Sequence, residues 1–468
     1  MMIQYEPGRR ELTPLPLHAH LTVNERGHLE IGGCDAVELA RRYGTPLYVL
    51  DEDRVRSACR AYLDALARYY PKGKIVYAGK ALLTTGVCRI IASEGLFLDV
   101  VSGGELYTAL RAGFPPERMY FHGNNKSDAE LRMGLAAGVG RIVVDSEAEL
   151  ERLEELAAAE DCTADILLRV TPGVEAHTHS YMQTGQLDSK FGIPLAGGLA
   201  LAAARRAARS PRLRLRGYHC HIGSQILDLT AFDITVAMMM DFLADAQAAT
   251  GVAAEELDLG GGLGIRYTEA DVPPGPHELL RLLGDALRRE AARRELPLPV
   301  LVLEPGRSIV GDAGVTLYTV GFIKRIPGLR TYVAVDGGMA DNPRVALYQA
   351  RYTAVVANKA AQEPVEIVSI AGKCCESGDM LVFDAPVPPL ERGDVLAVLS
   401  TGAYNYSMAS HYNRLPKPAM VLVSQGRHDL LVERESYEDL VRHDRLPSWL
   451  GPAAPQAAGG RGGREVPG

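Results

Sequence analysis

Eight short apolar segments alternate with longer Ala-, Leu- and Arg-rich stretches between about residues 47 and 310. Each segment is almost continuously apolar, which is typical of parallel strands buried on both faces of a sheet. Strand–helix alternation repeated eight times is the pattern of a (β/α)₈ barrel, and an open doubly wound sheet is the alternative. The eight predicted strands are 75–78, 97–101, 119–122, 142–145, 166–170, 215–221, 257–260 and 300–304.

The pattern changes after about residue 311, where runs rich in Val, Ile, Tyr and Thr are separated by turn residues. Such runs predict a mostly antiparallel β domain over 311–450, following a TIM-like barrel over 45–310. Residues 1–44 are too few for a core of their own, so we expect them to pack on the β domain. The Gly-, Pro- and Ala-rich tail, 451–468, is predicted to be disordered. The fold class is therefore α/β with a second, smaller β domain.

Composition excludes several classes of protein. The chain has 468 residues, a formal net charge of −8 and no basic stripe, which argues against a nucleic-acid partner. No apolar run is long enough to span a membrane and the N-terminus lacks a signal sequence, so a cytoplasmic protein is predicted. The seven cysteines form no C-x-x-C pair, and we expect no metal site.

Polar and glycine-rich residues follow the predicted strands, at the end of a barrel where catalytic groups collect. Lys80 comes directly after the first strand. A lysine there can be partly desolvated, which would lower its pKa and make its amine a nucleophile toward aldehydes. The alternative is a surface lysine whose stem packs on apolar neighbours.

An anion site is predicted at the ends of later strands. Gly260, Gly261 and Gly262 would expose backbone N–H groups to a phosphate, although a plain glycine turn is equally compatible. Ser224 offers a hydroxyl to the same anion, and Arg307 adds a charge-assisted hydrogen bond.

Two further strand ends and one segment of the β domain carry candidate catalytic groups. Glu304 can pair with a protonated ring nitrogen, or instead form a structural ion pair with Arg307. His221 can lie flat against an aromatic ring, or be an ordinary buried histidine. Cys375 and Glu376 follow Cys374 before a Ser-Gly turn, which indicates an acid–base role or else an incidental buried cysteine pair.

Together these motifs resemble the barrel-type pyridoxal-phosphate decarboxylases. Arg169 to Val174 with His177 and His179, and Ser189 to Gly192, are more similar to the diaminopimelate decarboxylases than to their ornithine or arginine relatives. The resemblance covers about residues 45–420. Its other motifs are Tyr77-Ala78-Gly79-Lys80-Ala81, Asp99 to Glu105, His122-Gly123-Asn124-Asn125-Lys126, His219-Cys220-His221-Ile222-Gly223-Ser224-Gln225, Glu304-Pro305-Gly306-Arg307, Cys375-Glu376-Ser377-Gly378-Asp379 and Gly402-Ala403-Tyr404.

The resemblance implies a role for each matching position. Lys80 holds pyridoxal 5′-phosphate covalently, His221 stacks on its ring, Glu304 faces its nitrogen, and Cys375 donates a proton. The phosphate is held by Ser224, Gly260, Gly261, Gly262, Gly306 and Arg307. The substrate is bound by Arg307, Arg344, Tyr348, Glu376 and Tyr404, of which Tyr404 also contacts the cofactor.

The implied reaction is decarboxylation of meso-2,6-diaminopimelate to L-lysine and CO₂, the last step of lysine biosynthesis. A homodimer with shared active sites is implied as well. The alternatives are a decarboxylase of ornithine, arginine or carboxynorspermidine, and an amino-acid racemase. Leu82 and the pair Lys373-Cys374 depart from the family pattern, and these departures would fit an altered substrate or a subgroup.

Overall fold

The computed structural model describes residues 17–174 and 189–451. The chain begins with a small antiparallel sheet, a short helix and one longer strand: β1 (Leu21–Val23), β2 (Leu29–Ile31), β3 (Cys34–Asp35), α1 (Ala36–Tyr43) and β4 (Leu47–Asp51). Asp35 caps α1 by accepting hydrogen bonds from the backbone N–H groups of Val37 and Glu38, which satisfies donors that a helix start leaves free.

A closed parallel barrel follows. Its eight strands are β5 (Gly73–Ala78), β6 (Phe97–Val100), β7 (Met119–Phe121), β8 (Arg141–Val144), β9 (Ala164–Thr171), β11 (Leu213–His219), β12 (Glu256–Asp258) and β13 (Val300–Leu303), with a two-residue strand, β10 (Ile193–Pro194), beside β9. Each barrel strand pairs in parallel with its neighbours, and the pairings β13–β5 and β8–β9 close the ring. The described residues therefore confirm the predicted (β/α)₈ barrel and exclude the alternative, an open doubly wound sheet.

Helices cover the outside of the barrel. They are α2 (Glu52–Tyr69), α3 (Thr85–Ser93), α4 (Gly103–Arg111), α5 (Asp128–Ala137), α6 (Glu147–Ala159), α7 (Leu199–Arg209), α8 (Thr230–Thr250), α9 (Pro276–Arg294) and α10 (Arg307–Val310). Helix α5 illustrates how the sequence sets their ends. Ser127 and Glu130 form a reciprocal capping box at its start, and Gly138 ends it in the left-handed conformation. Such caps fix where each helix leaves the barrel mouth.

The C-terminal part of the chain forms a mostly antiparallel sheet, as predicted. Its elements are β14 (Gly314–Ile326), β15 (Arg330–Val335), α11 (Arg344–Tyr348), β16 (Ala354–Val356), β17 (Glu366–Ala371), β18 (Met380–Val387), β19 (Val395–Val398), β20 (Ala419–Ser424), β21 (Arg427–Val432) and α12 (Tyr437–Val441). Residues of the N-terminal segment, including Leu29 and Leu39, share one hydrophobic cluster with Val315 and Val421 of this sheet.

Strand β4 corrects one part of the predicted layout. It lies inside the range 45–310 expected for the barrel, yet it pairs with β14 and β20 of the C-terminal sheet. A buried apolar run before a helix looks the same in either sheet, and only its hydrogen-bond partners distinguish the two. The division of the chain into domains otherwise stays a prediction, and the predicted tail from residue 452 onward lies outside the described residues. No described helix is both long and apolar enough to cross a membrane.

Candidate active site

Lys80 lies at the carboxyl end of β5, in a single helical turn over Gly79–Ala81. The carbonyl of Ala81 accepts hydrogen bonds from the backbone N–H of Tyr404, at 2.8 Å, and from the hydroxyl of Ser407, at 3.1 Å. Tyr404 has a φ of 64°, a left-handed conformation that a bulky residue rarely adopts. A strained loop of the C-terminal domain therefore holds the turn that presents Lys80.

The surroundings of Lys80 correct the predicted direction of its pKa. Its side chain is exposed to solvent at the barrel mouth, although Gly79 and Ala81 beside it are buried. Desolvation by the surrounding protein acts to lower the pKa of Lys80, as expected, but the charges of Asp99, Tyr404 and Glu304 outweigh it and raise the pKa above the usual value. The amine is therefore held protonated by nearby acids rather than neutralised by burial.

Glu304 follows β13 and lies deep in the barrel mouth, where it contacts two histidines from other strands. Its Oε1 lies 2.6 Å from Nε2 of His122, and its Oε2 lies 3.3 Å from Nε2 of His219. Asp258, at the end of β12, belongs to the same buried group of side chains. The structural alternative, an ion pair between Glu304 and Arg307, is not present among the described residues.

The pKa values of the two carboxyl groups in this cluster, Glu304 and Asp258, shift in opposite directions. Burial alone would raise the pKa of Glu304, but His122 and His219 outweigh it and hold that pKa well below its usual range. Burial, followed by the nearby charge of Glu304, raises the pKa of Asp258 well above its usual range. Burial also lowers the pKa of His219 to about 3. Within this pair the surroundings therefore favour the charged form of Glu304 and the protonated form of Asp258.

His221 lies against the glycine run, where close packing leaves no room for side chains. A Cβ on Gly260, whose φ is 67°, would lie 2.6 Å from Nδ1 of His221. A Cβ on Gly261 would meet the carbonyl oxygen of Glu304 at 2.1 Å, and one on Gly262 that of Gly223 at 2.5 Å. Burial, followed by the charge of Lys80, lowers the pKa of His221 well below its usual value, so the ring is neutral. The loops after three strands thus meet backbone to backbone.

Two buried arginines lie beside this junction. Nη2 of Arg307 donates to Oγ of Ser224 at 2.9 Å. Nη1 of Arg344 donates to the hydroxyl of Tyr352 at 2.8 Å. Their guanidinium carbons lie 4.9 and 5.9 Å from the ring centre of Tyr404. The geometry therefore joins the predicted residues Ser224, Arg307, Arg344 and Tyr404 to the turn that carries Lys80.

Cys375 and Glu376 lie on an exposed loop between β17 and β18. The backbone N–H of Cys375 donates to Oδ1 of Asn413 at 2.7 Å. The loop is anchored by Asp379, whose carboxylate accepts hydrogen bonds from the N–H groups of Cys374 and Met339, both at 2.6 Å. Within the described residues, no hydrogen bond or ion pair connects Cys375 or Glu376 to Lys80, Glu304 or the two arginines.

Several other predicted positions are placed differently. Tyr348 ends α11, half-buried, and within the described part of the chain no hydrogen bond joins it to Arg344. Leu82 packs in the hydrophobic core of the barrel, and its carbonyl accepts the hydroxyl of Tyr77 at 2.7 Å. This departure from the family pattern is therefore an apolar core contact. His177 and His179 lie outside the described residues.

The sequence patterns gave no role to several residues of the site. Asp99, His122, His219 and Asp258 surround Lys80 and Glu304, and Tyr267 lies between the two arginines. The position of Asp258 and His219 at strand ends was a usable signal, because barrel strand ends converge. Tyr267 lies in a loop after β12 with no periodic pattern, and nothing in the sequence alone would have singled it out.

Comparison with known proteins identifies the family. The model of the family "Pyridoxal-dependent decarboxylase, pyridoxal binding domain" matches residues 52–311. Diaminopimelate decarboxylase of Bacillus subtilis is 50% identical over 428 residues, which is 92% of this chain and 98% of that protein. The chain belongs to the diaminopimelate decarboxylase family.

Other members of the diaminopimelate decarboxylase family agree in sequence and in fold. The Synechocystis enzyme is 45% identical over 93% of this chain and 94% of its own length. The crystal structure of the M. jannaschii diaminopimelate decarboxylase with L-lysine has a TM-score of 0.86 and 36% identity, and the match covers 92% of this chain and 99% of that one. The start of the family match at residue 52 falls directly after β4.

The residues at the barrel mouth fit the cofactor of this family, pyridoxal phosphate. Lys80 offers an accessible amine, and Glu304 offers a buried carboxylate whose Oε1 accepts no hydrogen bond of good geometry from the described residues. Arg307 is buried and its Nε has no described hydrogen-bond partner. An aldehyde, a protonated ring nitrogen and a phosphate are the complementary groups.

Proposed function

We propose that this chain decarboxylates meso-2,6-diaminopimelate to L-lysine and CO₂, the last step of lysine biosynthesis, using pyridoxal phosphate on Lys80. The observation that carries the proposal is a pair of buried arginines, Arg307 and Arg344, beside the Lys80 turn. Diaminopimelate has a second carboxylate far from the reacting one, and paired guanidinium groups bind carboxylates well. The diaminopimelate decarboxylases that the chain resembles support the same substrate.

When bound, pyridoxal phosphate supplies an electron sink for the electron pair released as a carboxylate leaves. Lys80 would hold its aldehyde carbon and yield that position to the substrate amine. Glu304 would hold a proton on the ring nitrogen, and the neutral imidazole of His221 would lie flat on the ring. Ser224, Arg307 and the N–H groups of Gly260–Gly262 and Gly306 would bind its phosphate.

The remaining residues would place the substrate and return a proton. Arg344, with Arg307 and Tyr348, would bind the distal carboxylate and so orient the substrate toward the cofactor. Glu376 would bind the distal amine, and Tyr404 would contact both cofactor and substrate. Cys375 would donate the proton that replaces CO₂ at Cα.

The charge at the distal end argues against a diamine-forming decarboxylase. Ornithine presents only an ammonium group there, which requires an acidic pocket. Arg307 and Arg344 form no ion pair with a carboxylate among residues 17–174 and 189–451, and they would repel that ammonium. The pocket therefore favours a substrate with a distal carboxylate.

A substrate panel tests this preference. Purified enzyme with pyridoxal phosphate is incubated with meso-diaminopimelate, ornithine, arginine, carboxynorspermidine and lysine, and CO₂ release is measured. We expect kcat/KM for meso-diaminopimelate to exceed the others by at least ~10²-fold, because a lost charge-assisted clamp costs about 3 kcal/mol. Equal or faster turnover of ornithine would contradict the proposed substrate.

We also propose a homodimer in which each site takes Cys375 and Glu376 from the second copy. The support is that both side chains are exposed in one copy, on a loop held by Asn413 and Asp379 rather than by the barrel mouth. The cytoplasmic location, like the expected lack of a nucleic-acid partner, stays a prediction.

Mixing two inactive variants tests the shared site. Lys80→Ala and Cys375→Ala subunits are unfolded and refolded together, and activity is compared with each variant alone. Random pairing should restore about a quarter of wild-type activity, because half the dimers carry one site with both residues intact. A mixture as inactive as its components would place Cys375 and Lys80 of one chain in the same site.

A further inference from the structure

Arg307 and Arg344 are buried cations without a carboxylate partner. Their exposed fractions are 5% and 4%, and neither forms an ion pair within the described residues. A buried charge is costly unless it is paired and hydrogen-bonded. The two guanidinium groups must therefore be held in place by other means until an anion binds.

Tyr267 contacts the guanidinium groups of both Arg307 and Arg344. Its hydroxyl accepts a hydrogen bond from Nη1 of Arg344 at 2.9 Å and another from Nη1 of Arg307. The guanidinium carbons lie 5.7 Å (Arg307) and 5.2 Å (Arg344) from its ring centre. Tyr352, by contrast, accepts a hydrogen bond from Arg344 and donates one to Asn405 at 3.3 Å, and within the described part of the chain it has no hydrogen bond to Arg307.

The backbone of Tyr267 is fixed on both sides. Its N–H donates to Oδ2 of Asp271 at 3.1 Å, and its carbonyl accepts the hydroxyl of Thr353 at 3.0 Å. Its ring meets that of Tyr352 edge-on at 5.3 Å. Asp271 belongs to the barrel and Thr353 to the C-terminal domain. Tyr267 is therefore fixed where the two meet, between the two arginines.

The electrostatics are consistent with this bridging position. Burial alone would raise the pKa of the Tyr267 hydroxyl, but Arg307 and Arg344 outweigh it and hold that pKa below its usual value. The hydroxyl oxygen, which accepts a hydrogen bond from each guanidinium group, partly substitutes for the missing carboxylate.

We propose that Tyr267 is a positioning residue that joins Arg307 and Arg344 into one anion-binding unit, connecting the phosphate of the cofactor with the distal carboxylate of the substrate. The proposal rests on the proposed function for the identity of these two anions. Arg307 donates a hydrogen bond to Ser224, a proposed ligand of the phosphate, and Arg344 is a proposed ligand of the substrate carboxylate. Removing the Tyr267 hydroxyl should therefore weaken binding of both the cofactor phosphate and the distal carboxylate of the substrate. Removing the hydroxyl of Tyr352 should weaken only binding of the substrate carboxylate.

The test compares Tyr267→Phe with the matched variant Tyr352→Phe. For each we measure the Kd of pyridoxal phosphate for the cofactor-free enzyme by equilibrium dialysis, and then KM and kcat for meso-diaminopimelate. Tyr267→Phe should raise both the Kd and the KM by about 10-fold, the scale of one hydrogen bond to a charged group. Its kcat should fall less than about 3-fold, because no reacting atom is touched. Tyr352→Phe should raise the KM and leave the Kd unchanged.

Two outcomes would overturn the proposal: a Tyr267→Phe variant that binds the cofactor as the wild type does, or equal effects of both variants on the Kd. A merely structural role would lower the temperature of unfolding and kcat together, so both are recorded. If the wild type fails to turn over meso-diaminopimelate, the proposed function fails, and the cofactor Kd of the two variants still decides whether Tyr267 bridges the arginines.

Discussion

Lys80→Ala is expected to lose the visible absorbance of the bound cofactor and to reduce kcat by at least ~10³-fold, the scale on which removal of a covalent catalyst acts. Lys80 lies exposed in the barrel mouth, with Asp99 and Glu304 near enough to raise its pKa. Lys126, which follows another barrel strand, is buried and paired with Glu149 at 2.7 Å, so it offers the cofactor no substitute amine. The measurement is the absorption spectrum with added pyridoxal phosphate, followed by turnover.

The control for Lys80 is Lys324→Ala, which removes an exposed lysine on β14, outside the barrel strands. That variant should keep its spectrum and its rate. Reduction of the wild type with borohydride, followed by peptide mass analysis, locates the attachment directly. A cofactor adduct on a peptide without Lys80 would show that another lysine holds the group.

Glu304→Gln should lower kcat by about 10²-fold while leaving the KM for substrate within a few-fold of the wild type. The neutral amide has nearly the same shape but cannot stabilise a protonated ring nitrogen, so the electron sink is weakened. Contacts with His122 and His219 lower the pKa of Glu304 and so favour its carboxylate form. Steady-state kinetics and the spectrum of the bound cofactor measure the loss.

Asp258→Asn is the matched control for Glu304. Asp258 is buried in the same cluster, but burial and the charge of Glu304 raise its pKa and favour its neutral form, so a neutral amide is the closest replacement. The new side chain keeps an oxygen for the N–H of Gly260, which Oδ1 of Asp258 accepts at 2.8 Å. We expect less than about a 10-fold change in kcat. An effect as large as that of Glu304→Gln would show that the two carboxyl groups share the charge equally.

Much of the fold was predictable because parallel barrel strands are buried on both faces and appear as continuous apolar runs. Strands β18 and β21 were not predicted. The first contains Asp384 and Pro386, and the second has no buried residue. Strand β4 was not among the predicted strands, and its place in the C-terminal sheet depends on partners more than 250 residues away. Pairing over such distances leaves no local pattern.

The site was predictable where residues stand directly at strand ends, as Lys80 and Glu304 do. The direction of the Lys80 pKa was not, because it depends on Asp99, Tyr404 and Glu304 together outweighing desolvation. The contact partners of Glu304 come from different strands, and Tyr267 comes from a loop. These relations arise only when the barrel closes and the C-terminal domain packs against its mouth.

The most direct test of the central proposal is the reaction of wild-type enzyme with meso-diaminopimelate in D₂O. Product analysis by mass spectrometry and chiral chromatography should find L-lysine and CO₂ in equal amounts. The lysine should carry one deuterium at the carbon that lost the carboxylate, because the returning proton comes from a group that exchanges with solvent. Recovered diaminopimelate with altered stereochemistry and no CO₂ would instead identify a racemase and contradict the assignment.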